Sequence, residues 1–203
     1  MFTGIIQNTS KIKKVISKPG LKTLVVKLNK NRIKNLKIGA SVAVNGVCLT
    51  VTSIHKNEVS FDVMQETMNK TTLGSLKKNS RVNIERSLKQ GDELGGHLLS
   101  GHIDMTATIK KITKPENNTI IEFDCSKKWM KYIFDKGFIA INGASLTIVK
   151  TFQKGGFTVH LIPETLKATT FASLAVGNKV NIEIDRQTQA IVNTVEHYLN
   201  KNR

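Results

Sequence analysis

Short runs with an apolar residue at every second position recur along the chain: "KIKKVI", "TLVVKL", "SVAVNGVCLTV", "EVSFDVM" and "RVNIE". A period of two with β-branched residues at the apolar positions predicts strands. Asn45-Gly46 and Asn142-Gly143 each lie between two apolar runs and predict two-residue hairpin turns. Lys154-Gly155-Gly156 predicts another turn, with "HKNE" in the matching place of the first half. Short helices are predicted over "ETMNKTTLGSL", over "PETLKATTFASL" and over "CSKKWMKYIFDKG", the last ended by Gly137. At the C-terminus the period changes. Ala190, Ile191, Val195, Tyr198 and Leu199 fall near helical spacing and give an apolar stripe. The pattern leaves open whether that stripe packs on its own domain or assembles subunits.

The pattern occurs twice. "VAVNGVCLTV" from Val42 and "IAINGASLTI" from Ile139 share five of ten residues, 97 positions apart. "TGIIQNTSKIKK" (Thr3 to Lys14) matches "SGHIDMTATIKK" (Ser100 to Lys111) at the same offset. Downstream, "DVMQET" matches "HLIPET", "NKTTLGSL" matches "KATTFASL", and "RVNIE" matches "KVNIE", all 98 positions apart. The unit is too long for a solenoid repeat and reads as a duplicated domain. About six short strands with tight turns per unit predict a small closed barrel, since closure removes exposed edges. The expected fold is mainly β: two tandem six-stranded Greek-key-like closed β-barrels with short helices, and a C-terminal helix. The boundaries read as residues 1–97, 98–186 and 187–203.

Composition narrows the class. No run of 18 apolar residues occurs in the 203, and "MFTGIIQNTSK" lacks the features of a signal peptide. Two cysteines, one per half, make no disulfide framework. The expectation is a soluble cytoplasmic protein with reduced thiols and no membrane partner. The net charge of +16 suggests nucleic acid at first sight. However, the lysines are scattered, and aromatics, which base-stacking platforms need, make up only 5% of the chain. Solvated lysine-rich faces account for the charge, and no nucleic-acid partner is expected.

The candidate chemistry lies in two places. "GGHLLSGHID" joins the repeats and holds His97 and His102. Their spacing does not suit one helical face and no cysteine lies nearby, so no metal is expected. One imidazole could act as acid or base near neutral pH, or either could be a histidine satisfied inside a turn. Neither phosphate-loop nor nucleophile-elbow spacing is present. The second place is "CLT" and "SLT", each directly after an Asn-Gly turn. An extended strand turns Cys48 with Thr50, and Ser145 with Thr147, toward one face. Small polar groups beside free backbone donors and acceptors suit a flat heterocycle. Cys48 could also be a small buried hydrophobe, and both triplets could be plain strand filler.

Together, "MFTGI", "VNGVCLTV", "GGHLLSGHID", "INGASLTIV" and "VNIEIDRQTQ" resemble the riboflavin synthase family in its trimeric, duplicated lumazine-binding form. The resemblance covers nearly the whole chain. It implies that two molecules of 6,7-dimethyl-8-ribityllumazine dismutate. One donates a four-carbon unit and becomes 5-amino-6-ribitylamino-uracil; the other becomes riboflavin. It implies no cofactor and no metal, because electrons are only redistributed between identical substrates and the 7-methyl group is already acidic. The pocket positions it implies in the first barrel are Gly4, Ile5, Ile6, Cys48, Leu49, Thr50, Asp62, Val63, Met64, Gln65, Glu66 and Thr67. In the second they are Gly101, His102, Ile103, Ser145, Leu146, Thr147, His160, Leu161, Ile162, Pro163, Glu164 and Thr165. Lys136 is implied to reach a neighbour's site, and the C-terminal helices to hold a homotrimer with sites between subunits. The roles expected are a proton shuttle for His102, and hydrogen bonding to the deprotonated methyl and adducts for Ser145, Thr147 and Cys48. Asp185 would orient a ribityl chain or a partner group, and Phe2 would pack at the pocket mouth. A non-catalytic lumazine- or flavin-binding protein of the same fold is the alternative.

Overall fold

The alternating runs become strands that close on themselves. The computed structural model describes residues 1–202. The first repeat forms β1 (Asn8–Lys18), β2 (Leu21–Lys27), β3 (Ser41–Val44), β4 (Val47–His55), β5 (Glu58–Met64) and β6 (Arg81–Arg86). A one-turn helix α1 (Lys30–Ile33) precedes β3 and α2 (Gln65–Lys70) follows β5. The second repeat forms β7 (Met105–Thr113), β8 (Thr119–Asp124), β9 (Phe138–Ile141), β10 (Ala144–Thr151), β11 (Phe157–Leu161) and β12 (Lys179–Ile184). Helix α3 (Pro163–Ala168) follows β11, and α4 (Arg186–Lys201) follows β12. Each set is a closed antiparallel barrel. The first runs β1-β2-β5-β4-β3-β6 around the ring, and the second has the same order in its own strands. Bulges interrupt equivalent places, at Ile12/Lys14 and Ile109/Lys111 and at Val51/Ser53 and Ile148/Lys150, and bend the strands enough to close.

Each barrel is filled by the inward residues of the alternation. Ile12, Leu24, Val26, Val59, Phe61, Val82 and Ile84 fill the first, and Ile109, Ile121, Phe123, Phe157, Val159, Val180 and Ile182 the second. Phe123 and Phe157 stack there with ring centres 5.3 Å apart.

The predicted helices are shorter than their sequence runs. Each of the first two is a short α-helix followed by a 3₁₀ turn, Thr72–Ser75 or Thr170–Ser173. The break falls at Thr71 and Thr169, whose extended backbone lets each hydroxyl accept from the N–H two residues on. The third run is a 3₁₀ turn over Lys127–Tyr132 that stops well before Gly137. It is wound by three-residue hydrogen bonds, Trp129 N to Ser126 O (3.0 Å) and Ile133 N to Met130 O (3.1 Å).

The Asn-Gly pairs are hairpin turns, with φ of 47° and 80° at Asn45-Gly46 and 46° and 82° at Asn142-Gly143. They also form the joint between the barrels. A Cβ placed on Gly46 would lie 2.6 Å from the backbone N of Gly143, so the two turns sit back to back with no room for a side chain. Around them Asn83 donates to Asn142 O and Asn181 to Asn45 O, both at 2.9 Å. Asn45 Oδ1 accepts from Asn83 N, and Asn142 Oδ1 from Asn181 N, both at 2.8 Å. All four asparagines are buried with these groups satisfied, which fixes one relative placement of the barrels.

Candidate active site

The pocket strands are built as the pleat requires. In β4, Leu49 faces the core while Cys48 and Thr50 face outward; in β10, Ser145 and Thr147 take the outward places. The segment before each barrel then crosses to the other one. Cys48 N, in the first barrel, donates to Gly101 O at 2.8 Å. Ser145 N, in the second barrel, donates to Gly4 O at 2.8 Å. Ile103 accordingly packs on the first core and Ile6 on the second. The sequence expectation kept each arm with its own barrel, and the structure exchanges them. Gly101, His102 and Ile103 wall the Cys48 pocket, while Gly4 meets Ser145. Nothing local announces such a pairing, because the hydrogen bonds join segments 53 and 141 positions apart (101 minus 48; 145 minus 4). Glycine is required at both crossings: φ is +75° at Gly4 and +80° at Gly101, and a Cβ there would lie 2.5 Å from Ser145 Cβ and 2.6 Å from Cys48 Cβ.

The first-barrel pocket is a hollow of about 260 Å³ lined by Val47, Cys48, Glu66, Thr67, Lys70, Thr71, Gly101, His102 and Ile103. Five expected residues from two distant segments thus meet Cys48 there. Val47, Lys70 and Thr71 were not anticipated. Lys70 is held to Glu66 by an ion pair at 2.7 Å.

In the second barrel a buried imidazole is bonded to the counterpart of Cys48. His97 Nδ1 lies 2.6 Å from Ser145 Oγ, and its ring stacks on Phe138 with centres 5.1 Å apart and 16° between planes. The imidazole is buried, and its Nε2 has no hydrogen-bond partner among the described residues. Burial holds His97 below the usual histidine range, with the charge of Asp185 opposing. A neutral imidazole beside a serine hydroxyl can take its proton, which is the arrangement that activates a hydroxyl. The residues alone do not separate the two histidines, and the resemblance implies His102. The repeat does not single out His97, because His97 lies outside the matched segments, which start at Thr3 and Ser100.

Other expected residues divide according to the pleat. Val63 and Leu161 point into the cores, so in the runs 62–67 and 160–165 they can offer only backbone to a ligand. Asp62, Met64, His160 and Ile162 face outward. Asp62 accepts from Thr23 Oγ1 at 2.6 Å. Pro163 and Glu164 open α3, whose Thr165 carbonyl accepts from Thr169. Asp185 caps α4, one carboxylate oxygen accepting from Thr188 N (2.8 Å) and Oγ1 (2.7 Å). Lys136 is exposed on a left-handed turn (φ 68°) before β9. His102, on the first-barrel pocket, is separated from the second-barrel residues with which it was grouped; its carbonyl accepts from Arg186 at 2.6 Å. Phe2 is not at a mouth. It is 1% exposed in the joint, packed with Ala43, Leu99, Ala140 and Cys48. A larger hollow of about 680 Å³ runs along the linker past Arg32, Arg86, Lys89 and Asp92. Of the expected residues it includes only Ile5, so size does not identify the site.

Comparison with known proteins agrees with this duplicated geometry. The lumazine binding domain model matches twice, over residues 3–87 and 100–185. The chain is 52% identical over 200 residues to riboflavin synthase of Escherichia coli (strain K12), covering 98% of this chain and 93% of that one. It is 48% identical to the riboflavin synthase of Buchnera aphidicola subsp. Schizaphis graminum (99% and 97% covered) and 40% to that of Bacillus subtilis (strain 168; 91% and 85%). Among solved structures, LumP complexed with riboflavin aligns with a TM-score of 0.85 at 28% identity, covering 92% of this chain and all of that one. LumP complexed with 6,7-dimethyl-8-(1'-D-ribityl) lumazine aligns at 0.83 and 27%.

Proposed function

This chain belongs to the riboflavin synthase family and is an enzyme of the transferase class, and from that premise we propose how its two pockets share the reaction. Two 6,7-dimethyl-8-ribityllumazine molecules bind, one in a Cys48-type and one in a Ser145-type pocket. A four-carbon unit passes between them, giving one riboflavin and one 5-amino-6-ribitylamino-uracil. The observation that carries this reading is the pair of crossings of one design, each an outward polar strand residue whose N–H is bonded to a glycine arm of the other repeat. Much of the acceleration comes from holding two rings in register, since fixed proximity replaces a bimolecular encounter. In the Ser145 pocket, the hydroxyl takes a proton from the lumazine 7-methyl group as it passes its own to neutral His97, so the positive charge ends on the imidazole and the hydroxyl remains a donor to the deprotonated methyl. In the Cys48 pocket, His102 is the available proton carrier, with Thr50 facing outward beside the thiol.

Each complete site lies between the first barrel of one subunit and the second barrel of the next in a homotrimer. The stripe on α4 supports this reading. Ile191, Val195, Tyr198 and Leu199 are 65%, 51%, 68% and 55% exposed, so the stripe does not pack on its own barrel. What ties α4 to the 3₁₀ turn is polar, the Lys131–Glu196 ion pair and a bond from Tyr132 Oη to Asn193. Lys136, exposed and outside the Cys48 pocket of its own chain, suits a neighbour's site. No helix among the described residues is long and apolar enough to cross a membrane, and both cysteines are free, in keeping with a cytoplasmic enzyme.

The test is an assay with lumazine as sole substrate: riboflavin and the uracil product should appear in equal amounts without added cofactor. Tight binding without product would overturn the reading in favour of a lumazine carrier. Gly101→Ala should raise KM for lumazine about tenfold or more. The left-handed backbone alone costs a non-glycine residue about 1–2 kcal/mol, and the clash with Cys48 pushes the arm off the pocket. An unchanged KM would show that the arm is not a pocket wall.

A further inference from the structure

Each crossing arm ends on a buried glutamate of the barrel it leaves. Glu85 in β6 accepts from Thr3 N (2.6 Å) and Thr3 Oγ1 (2.7 Å) with one oxygen and from Gly4 N (3.1 Å) with the other. Glu183 in β12 accepts from Ser100 N (2.7 Å), Ser100 Oγ (2.6 Å) and Gly101 N (3.0 Å) in the same pattern. The two hydroxyls in turn accept from the N–H groups of Ile5 and His102, both at 3.2 Å, so each arm wraps its carboxylate. These side chains are 1% and 2% exposed.

The strand register joins the two clamps. Glu85 pairs with Ala43, and Ala43 with Cys48, across three strands of the first barrel. Glu183 pairs with Ala140, and Ala140 with Ser145, in the second. A path therefore runs from Cys48 through Ala43 and Glu85 to the Thr3-Gly4 arm, whose carbonyl binds Ser145 N. It returns from Ser145 through Ala140 and Glu183 to the Ser100-Gly101 arm, whose carbonyl binds Cys48 N.

We infer that Glu85 and Glu183 are positioning residues that act crosswise: Glu85, in the first barrel, seats the wall of the Ser145 pocket, and Glu183, in the second, seats the wall of the Cys48 pocket. As substrate pockets these rest on the function proposed above; as a clamp the geometry stands without it. Only a carboxylate meets the demand, because three donors converge on two oxygens. Burial pushes both carboxyls up from the ordinary range, opposed by the hydrogen bonds of the arm in each case and also by the N-terminal charge at Glu85 and by Arg186 at Glu183. A glutamine offers one acceptor oxygen and turns an NH₂ toward a donor.

Cys48 reports on one arm. In a Cys125→Ala background it is the sole thiol, and its reaction with a chromogenic disulfide reagent measures how firmly the Ser100-Gly101 arm covers it. Glu183→Gln, a change in the other barrel, should speed labelling of Cys48 about tenfold or more, whereas Glu85→Gln should leave it within about twofold, in keeping with loss of charge-assisted hydrogen bonds on one arm only. Lumazine titration on the same proteins should show weaker binding for both variants. Ser100→Ala, which removes one donor and keeps the carboxylate, should move labelling the same way by a smaller factor and serves if Glu183→Gln does not fold. Equal acceleration by both glutamine variants, or none by either Glu183→Gln or Ser100→Ala, would overturn the clamp. The predicted labelling with unchanged lumazine affinity would uphold the clamp and reject the pockets as substrate sites.

Discussion

Deletion of the chain from Thr188 onward is expected to give a folded monomer with at least about a hundredfold less activity, because the second ring then arrives only by collision. The cut leaves β12 and both barrel cores intact, since among the described residues no core residue lies beyond Ile184. It removes the exposed apolar stripe of α4, the donors that Asp185 caps, and the Gln189 bond to Asp104. With sites spanning subunits, a monomer keeps both kinds of pocket but cannot bring them face to face. Sedimentation and a steady-state assay on one preparation decide the matter. A fully active monomer would show that each chain pairs its own pockets.

Replacement of Phe2 by alanine is the second large effect expected. The ring is buried between Ala43 and Ala140, the residues that pair with Cys48 and Ser145 across the strands. Its backbone exchanges two hydrogen bonds with Leu99, both at 2.9 Å. Emptying such a site costs about 3–5 kcal/mol, and the loss falls at the joint, between the arms, where the pockets are set. Denaturant unfolding should show that loss. Activity under conditions where the variant remains folded should still fall at least about tenfold, a drop that global stability does not explain. Wild-type turnover by folded Phe2→Ala would mean that the joint does not position the pockets.

Both barrels were legible because two independent regularities agree, the period of two along each strand and the repeat at 97 and 98 positions. The Asn-Gly pairs were legible as turns through their backbone demand. Their packing against one another was not, since a hairpin signal says nothing about what lies behind the turn. The Cys48 and Ser145 strands followed from alternation, which also explains why Val63 and Leu161 drop out of the pockets by facing inward. The crossing of the arms had no sequence signal, because a hydrogen bond from a backbone carbonyl to a distant strand leaves no residue preference beyond glycine. His97 escaped for a related reason: repeat comparison finds what lies in the matched segments, and His97 lies outside them. The C-terminal stripe was read correctly as a helix face, and the structure excludes its own barrel as the cover.

The crossed arms also change the genealogy of the pockets. Compared as sister copies, Ile5 stands opposite His102, and Cys48 opposite Ser145. Followed through space, the thiol gains His102 from the arm of the second repeat, while Ser145 meets Gly4 of the first and gains His97 from a linker outside the matched segments. The two lineages therefore end with the same endowment, one small polar group and one imidazole, reached by different descent. A substitution written into one repeat is expressed in the pocket of the other.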